Sequence, residues 1–535
     1  MTPRPKNIGA VFDWHAAQKR QTVVYLDRPM DITPYDTSVR YDGAALANLV
    51  AEVSGWLYAA GVRRGDRIAV VKENHFDMIM LVAAAARIGA VAAAISGGNL
   101  PEHLAPLLER VSPKLTVFSR SVLERAAQVH PHLLEVPNSL VLAPAGVEKL
   151  HPDHLTVDDL RGSTVPVANL AADDEPMFIT HTSGTTGVPK LVVHSARSNY
   201  YGSRLELNRL PMVVNRRTDV SLVSISFAHS RSQAWIGAQF KWAPAKLVAV
   251  GSHSPDVVEK MFEQHRPTTV ESTPAVYQRW QTLVESKPEL FASVRLYVNT
   301  FDLMHPSTVR AFLAASRRRF PLWAQCWGQS EVGPIAGTIY TRAMVRKVGS
   351  AATNTIGWSV PGLMRTKVVD PDTGRRVRWG RKGVLLSCSE SRCIDYLGET
   401  DRHEFKQAGK WWNTGDMGYK DSLGRIHFVD RAVDEIPGMS GTELESILLD
   451  RLTGVSEVVV LGVKGQDPIP VLCYDECEFD KVQWAAVVSD LPRMAEPVVV
   501  SWDDLPRTST WKIRRAQLRQ RLVGAEHGHG VAKWT

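Results

Sequence analysis

"ITHTSGTTGVPKLVV", Ile179 to Val193, sets hydroxyl residues, glycines and one lysine between two apolar, strand-like runs. A glycine-and-hydroxyl loop of this kind can fold its N–H groups inward as an anion cradle, and Lys190 adds the charge that suits a polyphosphate. The spacing departs from a P-loop. Pro189 stands where the Walker pattern has glycine, and Leu191 stands where it has the Mg²⁺-holding hydroxyl. Taken alone, a Ser/Thr/Gly run is more often a plain surface loop, so its neighbours decide its meaning.

Upstream, "DRIAVV" from Asp66 reads as a buried strand, the run after Phe76 as a helix and "GAVAAAI" as the next strand. "PEHLAPLLERV" restores helical spacing before "KLTVF" supplies another strand. The span Met78 to Ile95 approaches membrane-helix length, but Arg87 and Gly89 break it, which predicts a buried helix, a turn and a strand. Between Ala143 and Pro176 the chain turns polar and reads as a surface connection. Downstream, "VSLVSISF", "KLVAV", "TTVES" and "RLYVN" alternate with helical segments. Strand and helix in alternation predict an α/β fold with parallel pairing. "GRIHFVDR" closes a turn-linked strand pair, and shorter strands such as "VSEVVVLGV" and a terminal helix follow. We place a domain boundary there: residues 1–430 form a large N-terminal domain of αβ-layered sheets, and 431–535 a small α+β C-terminal domain.

The 535 residues exceed what one compact core usually holds. Lysine plus arginine (63) outnumber aspartate plus glutamate (56) without forming a block, so neither nucleic acid nor a membrane is called for as partner. The basic stretch "WKIRRAQLRQRL" reads as a solvated helix face. Five cysteines give no even disulfide framework and no zinc-ligand spacing, and no signal-peptide core is visible, which together point to reduced thiols in the cytoplasm.

Five segments in order carry a resemblance: "GVRRGDRIAVVKEN" with "ARIGAVAAAI", "TSGTTGVPK", "CWGQSE" from Cys326, "NTGDMGYKDSLGRIHFVDR", and "LPRTSTWKIRRAQL". Together they resemble the adenylate-forming superfamily of acyl- and aryl-CoA ligases, peptide-synthetase adenylation domains and luciferases, over nearly the whole chain. The resemblance implies an ATP-dependent, AMP-forming ligase with Mg²⁺ and a C-terminal lid that moves between two poses. It implies that Thr182, Ser183, Gly184, Thr185, Thr186, Gly187 and Lys190 hold phosphates. Trp327 and Gly328 stand at the adenine, and Ser330 and Glu331 match a Thr-Glu pair whose carboxylate ligates Mg²⁺. Asp416 would take the ribose hydroxyls, supported by Arg431. Lys512 would bridge the attacking oxygen and the α-phosphate. His229 matches a Phe-His position beside the acid and joins Lys512 and Glu331 as a catalytic candidate. Singly, each residue has a bland reading: a solvated carboxylate, a core tryptophan, a surface lysine.

The chain also departs from the family's pattern. Pro437 occupies a lysine position, and the turn from Ile436 to Glu443 is shortened where CoA ligases line the pantetheine tunnel. Val433 stands at a hinge position that usually holds Asp or Lys. Trp511 replaces the glycine before the catalytic lysine; a tryptophan resists φ > 0, which predicts a stiffer or reshaped loop. "NTFDLMHPS" replaces a glycine-rich turn beside adenine and puts Phe301 and Asp302 there. "SFAHSRSQAW" adds Ser230, Arg231 and Ser232 after His229, which suits a small polar or aromatic acid, unless Arg231 faces solvent. The acceptor of the activated group is then CoA, a carrier protein, an amine in amide formation, or an arylamine diazotised by activated nitrite. A nucleotide-binding protein without catalysis is the reading from another class, against which the retained Lys512, Glu331 and Asp416 count.

Overall fold

The computed structural model describes residues 3–182, 188–207, 216–348, 353, 355–360, 362–429, 440–462, 466–474, 479–508 and 510–523. The chain is α/β and divides into two compact units: 1–269 with 330–333 and 389–404, and 270–329 with 334–388 and 405–535. The expected boundary between 430 and 431 lies outside the described residues.

The first unit is built on a seven-stranded sheet ordered Asp395–Tyr396, Leu191–Ser195, Pro176–His181, Val91–Ser96, Arg67–Lys72, Leu115–Ser119 and Ser139–Leu142. From Pro176–His181 onward every pairing is parallel, as the alternation of strand and helix predicts; Leu191–Ser195 runs antiparallel beside Pro176–His181. The run that mimics a membrane span is the helix Asp77–Arg87, ten of whose residues are buried. It packs against a sheet strand on one side and the helix Gly43–Ala59 on the other, so it is apolar all round. Among the described residues no helix is long and apolar enough to cross a membrane. Gly89, at φ +74°, turns the chain into the next strand, and a Cβ there would sit 2.4 Å from the Asn169 carbonyl oxygen. The strands Val220–Ser224, Lys246–Ala249 and Val23–Leu26 are likewise parallel neighbours.

Asp77 places a buried charge in the first turn of that helix. Its carboxylate lies 2.6 Å from the Lys72 ammonium and 3.3 Å from His75 Nδ1, with all three side chains wholly buried. Asp31 shares the lysine at 3.0 Å. Burial alone would raise the Asp77 carboxyl, but the Lys72 and His75 charges outweigh it and hold it well below the carboxylate range.

In the second unit, Leu296–Asn299 pairs in parallel with Leu322–Gln329. An antiparallel run follows, including the hairpin Trp411–Lys420 with Ile426–Val429 and its neighbour Gly383–Cys388. Residues 440–523 add a three-stranded sheet of Val455–Leu461, Ile469–Tyr474 and Val498–Val500, with Leu444, Leu448, Val458, Val460 and Leu472 forming its core against the helix Gly441–Arg451. The basic terminal stretch forms the helix Arg515–Val523, yet its face is only partly solvated: Arg514 is buried and Arg515 pairs with Glu445 at 2.7 Å. Among the described residues Cys326, Cys388, Cys393 and Cys473 form no disulfide with one another.

Candidate functional site

The opening stretch forms two antiparallel strands whose connection is closed at its neck. Thr182 N–H donates to the Lys190 carbonyl (3.0 Å), and Lys190 N–H donates back to Thr182 Oγ1 (3.1 Å). Ser183, Gly184, Thr185, Thr186 and Gly187 lie outside the described residues. Beneath the neck, buried His181 Nε2 accepts N–H bonds from Ser96 (3.1 Å), so Nδ1 carries the proton and donates to the Thr182 carbonyl (2.9 Å). Burial lowers the His181 pKa, which keeps the ring neutral and this bond in place.

Lys190 projects its ammonium 5.1 Å from the centre of the Tyr396 ring. Tyr396 reaches that point because Asp395–Tyr396 pairs with Leu191–Ser195 at the sheet edge, Tyr396 opposite Val192. Its phenol donates to Glu331 Oε1. Burial first, then the Glu331 charge, pushes the phenol far up, so it stays a donor. Glu331, 6% exposed, presents hard carboxylate oxygens of the kind that Mg²⁺ takes, and the phenol fixes their position. Among the described residues no cluster of three or more metal-ligating side chains occurs, so a Mg²⁺ ion there would draw its remaining ligands from phosphates and water, which is that ion's usual habit.

Ser330 Oγ lies 3.0 Å from His229 Nε2. His229 caps the helix Ser230–Trp242, its Nδ1 accepting the Arg231 N–H at 3.1 Å, so Nε2 bears the hydrogen and donates to Ser330. Arg231 neither faces open solvent nor points out unpaired: it forms an ion pair with Glu206, both partly buried.

Asp416, Trp327, Gly328 and Lys512 belong to the second unit. Asp416, 6% exposed on the strand Trp411–Lys420, accepts from Gln329 Nε2 at 2.9 Å, while the same amide nitrogen also donates to the Thr414 carbonyl at 2.8 Å. Trp412 Nε1 donates to Gln329 Oε1 (3.3 Å), fixing the amide's orientation. Trp327 is half-buried against Ala336, Ile356, Val368, Leu385 and Ile426; Gly328 is exposed. Lys512 Nζ lies 3.7 Å from Asp302, a residue of the divergent "NTFDLMHPS" turn. Arg431 lies outside the described residues, as do Val433, Ile436 and Pro437.

Trp511 answers the expectation of a reshaped loop in an unforeseen way: it takes φ +65°, the left-handed backbone suited to glycine. Phe301 does the same at φ +79°. Each costs on the order of 1–2 kcal/mol. The turn before Lys512 is held by Trp511 N–H to the Thr508 carbonyl (2.9 Å), Thr508 N–H to the Lys512 carbonyl (2.8 Å) and Lys512 N–H to Thr508 Oγ1 (3.1 Å). This is a short hairpin whose last loop residue is left-handed, a shape that accounts for the strained φ.

Sequence reasoning passed over His181, Tyr396 and Gln329. His181 was in plain view in the opening stretch, and Gln329 filled the variable position of its motif. Tyr396 carried no local signal, since strand pairing alone brings it beside Lys190.

Residues 12–391 match the family described as AMP-binding enzyme. The 3-amino-2-hydroxy-4-methoxybenzoate diazotase of Streptomyces cremeus is 34% identical, covering 97% of this chain and 96% of its own. The 3-hydroxybenzoate–CoA ligase of Aromatoleum sp. (strain CIB) is 24% identical over 89% of this chain and 91% of its own. Among solved structures, ATP-bound MatB from Rhodopseudomonas palustris superposes with a TM-score of 0.77 at 19% identity, covering 97% of this chain and 100% of the other.

Proposed function

Given that the chain belongs to the AMP-binding enzyme family and is an adenylate-forming ligase, we propose that it activates nitrite with ATP and uses it to diazotise an arylamine that carries a carboxylate. The observation that carries this reading is the 34% identity, along nearly the full length of both chains, with an enzyme named as an aminobenzoate diazotase, against 24% for the CoA ligase. The shortened turn from Ile436 to Glu443 supports it, because that is where a CoA tunnel would be lined.

A nitrite oxygen attacks the α-phosphorus, the bond to the β-phosphate oxygen breaks, and pyrophosphate leaves. The resulting nitrosyl anhydride with AMP is attacked at nitrogen by the arylamine; AMP departs, one amine proton is lost, and the N-nitroso product expels water after protonation to give the diazonium ion. In this scheme Ser183 to Gly187, with Lys190, hold the β- and γ-phosphates. Asp416, held by Gln329, takes the ribose, and Trp327 lies on the adenine. Glu331 would ligate Mg²⁺, which when bound neutralises phosphate charge. Lys512 stabilises the charge that builds on the α-phosphate. His229 and Tyr396 are positioning residues, for Ser330 and Glu331 respectively. Residues 431–535 act as the lid that carries Lys512.

The test is made at neutral pH, where nitrite alone does not diazotise. Pyrophosphate release is followed with ATP, Mg²⁺ and nitrite, with and without 3-aminobenzoate, and the diazonium ion is trapped on a naphthol as a coloured azo dye. Release should require nitrite, and dye should require ATP, nitrite and the arylamine together. Release driven by the aryl acid without nitrite, with a thioester formed when CoA is added, would overturn the reading.

A further inference from the structure

Arg4 is 8% exposed, and its Nε, Nη1 and Nη2 are all buried with no hydrogen-bond acceptor among the described residues. Its one described neighbour of note is the Tyr200 ring, 5.5 Å from the guanidinium carbon to the ring centre. Burial lowers its pKa to about 10, which leaves it cationic at neutral pH. The guanidinium lies against Gly237, two turns along the helix that His229 caps: a Cβ on Gly237 would sit 1.7 Å from Arg4 Nη2. The missing side chain is what admits the cation. On the helix Ala196–Gly202, which packs against this one, buried Asn199 Nδ2 is a second donor with no acceptor among the described residues. A desolvated guanidinium with five N–H groups and no partner is among the most unfavourable arrangements a folded chain can hold, unless an anion arrives to accept them.

We propose that Arg4 is the receptor for a small planar oxyanion, namely the carboxylate of the arylamine substrate. The planar fork of a guanidinium matches the two oxygens of a carboxylate in a bidentate pair, and the adjacent Tyr200 ring suits an aromatic acid. Naming the arylamine rests on the diazotase reading. In that chemistry the carboxylate is not the group that is adenylated, so it needs a recognition site of its own. Nitrite has the same two-oxygen edge and is the other source of such an anion.

The test uses the full-length protein without ATP and titrates sodium benzoate, sodium nitrite and neutral aniline calorimetrically into wild type, Arg4→Lys and Arg4→Met. Benzoate binding should weaken about thirty-fold in Arg4→Met and less in Arg4→Lys. Aniline binding should be unchanged. Loss of nitrite binding with benzoate unaffected would keep the oxyanion site and assign it to nitrite. Because the unpaired charge is costly without its ligand, Arg4→Met should melt no lower than wild type, and Gly237→Ala, which evicts the guanidinium, should reproduce the loss of binding. Equal binding of both anions by wild type and Arg4→Met, no anion binding by wild type, or a lower melting temperature for Arg4→Met with binding unchanged would each overturn the assignment. Nitrite-dependent pyrophosphate release is read separately, so failure of the reaction scheme and failure of the anion site are distinguishable.

Discussion

Lys512→Ala is expected to slow pyrophosphate release on the order of 10²–10³-fold while leaving ATP affinity within a few-fold of wild type. The lysine is a compact point charge, and negative charge grows at the α-phosphate only as the attacking oxygen adds, so in the proposed scheme its contribution belongs to the transition state. Its placement is unusual in being backed by Trp511 in a left-handed turn and by the Asp302 carboxylate at 3.7 Å. Asp302 holds the side chain extended from its hairpin; it is more than half exposed, so a phosphate can outcompete it for the ammonium. Lys512→Arg should restore only part of the rate, because a planar fork does not fill the place of a point charge. Rates measured by coupled pyrophosphate release, beside ATP titrations of the same variants, give the comparison. Undiminished turnover in Lys512→Ala would remove the lysine from the chemistry.

The second large effect concerns stability. Asp77→Ala should destabilise the protein by about 3–5 kcal/mol, since it strands the buried Lys72 ammonium with Asp31 alone and strips His75 of its neighbour. The sign of the pH dependence follows from the depressed carboxyl. Asp77 contributes stability that is fully present above its unfolded pKa near ~4 and is lost as pH falls through its much lower folded value. Chemical denaturation at pH 7 and at progressively lower pH should therefore show the gap between wild type and Asp77→Ala narrowing only below about pH 4. A gap that is small at pH 7, or that widens with acid, would show that the buried pair is not what holds this end of the helix.

Legibility in the sequence tracked the range of the interactions. The alternation of apolar strands with helices was readable because period and turn chemistry are local. The long apolar run was correctly split because Arg87 and Gly89 interrupt it within a few residues. The short helix Val157–Leu160, capped by Thr156 and Asp159, was hidden inside a segment whose composition says only loop. At the site, motif residues were visible as motifs, but the groups that orient them were not. Tyr396 stands 65 positions from the carboxylate to which it donates, and Gln329 stands 87 from Asp416; no spacing rule spans such distances. Trp511 was read as an obstacle to a left-handed turn. The hydrogen bonds of the hairpin outweigh a backbone preference of that size, so the conformation survives the change of side chain.

The two bonds of the His229 ring have a kinetic corollary. With the lone pair on Nδ1 committed to a main-chain amide and the hydrogen on Nε2 committed to Ser330, the imidazole offers an incoming amine no uncommitted lone pair to take its proton. Replacing the ring should accordingly act through the placement of Ser330 and not through loss of a base: His229→Asn should lower turnover by less than about 10²-fold, the smallest loss expected when a general base is removed. A larger loss would mean that the ring swings away from its amide and acts as a base after all.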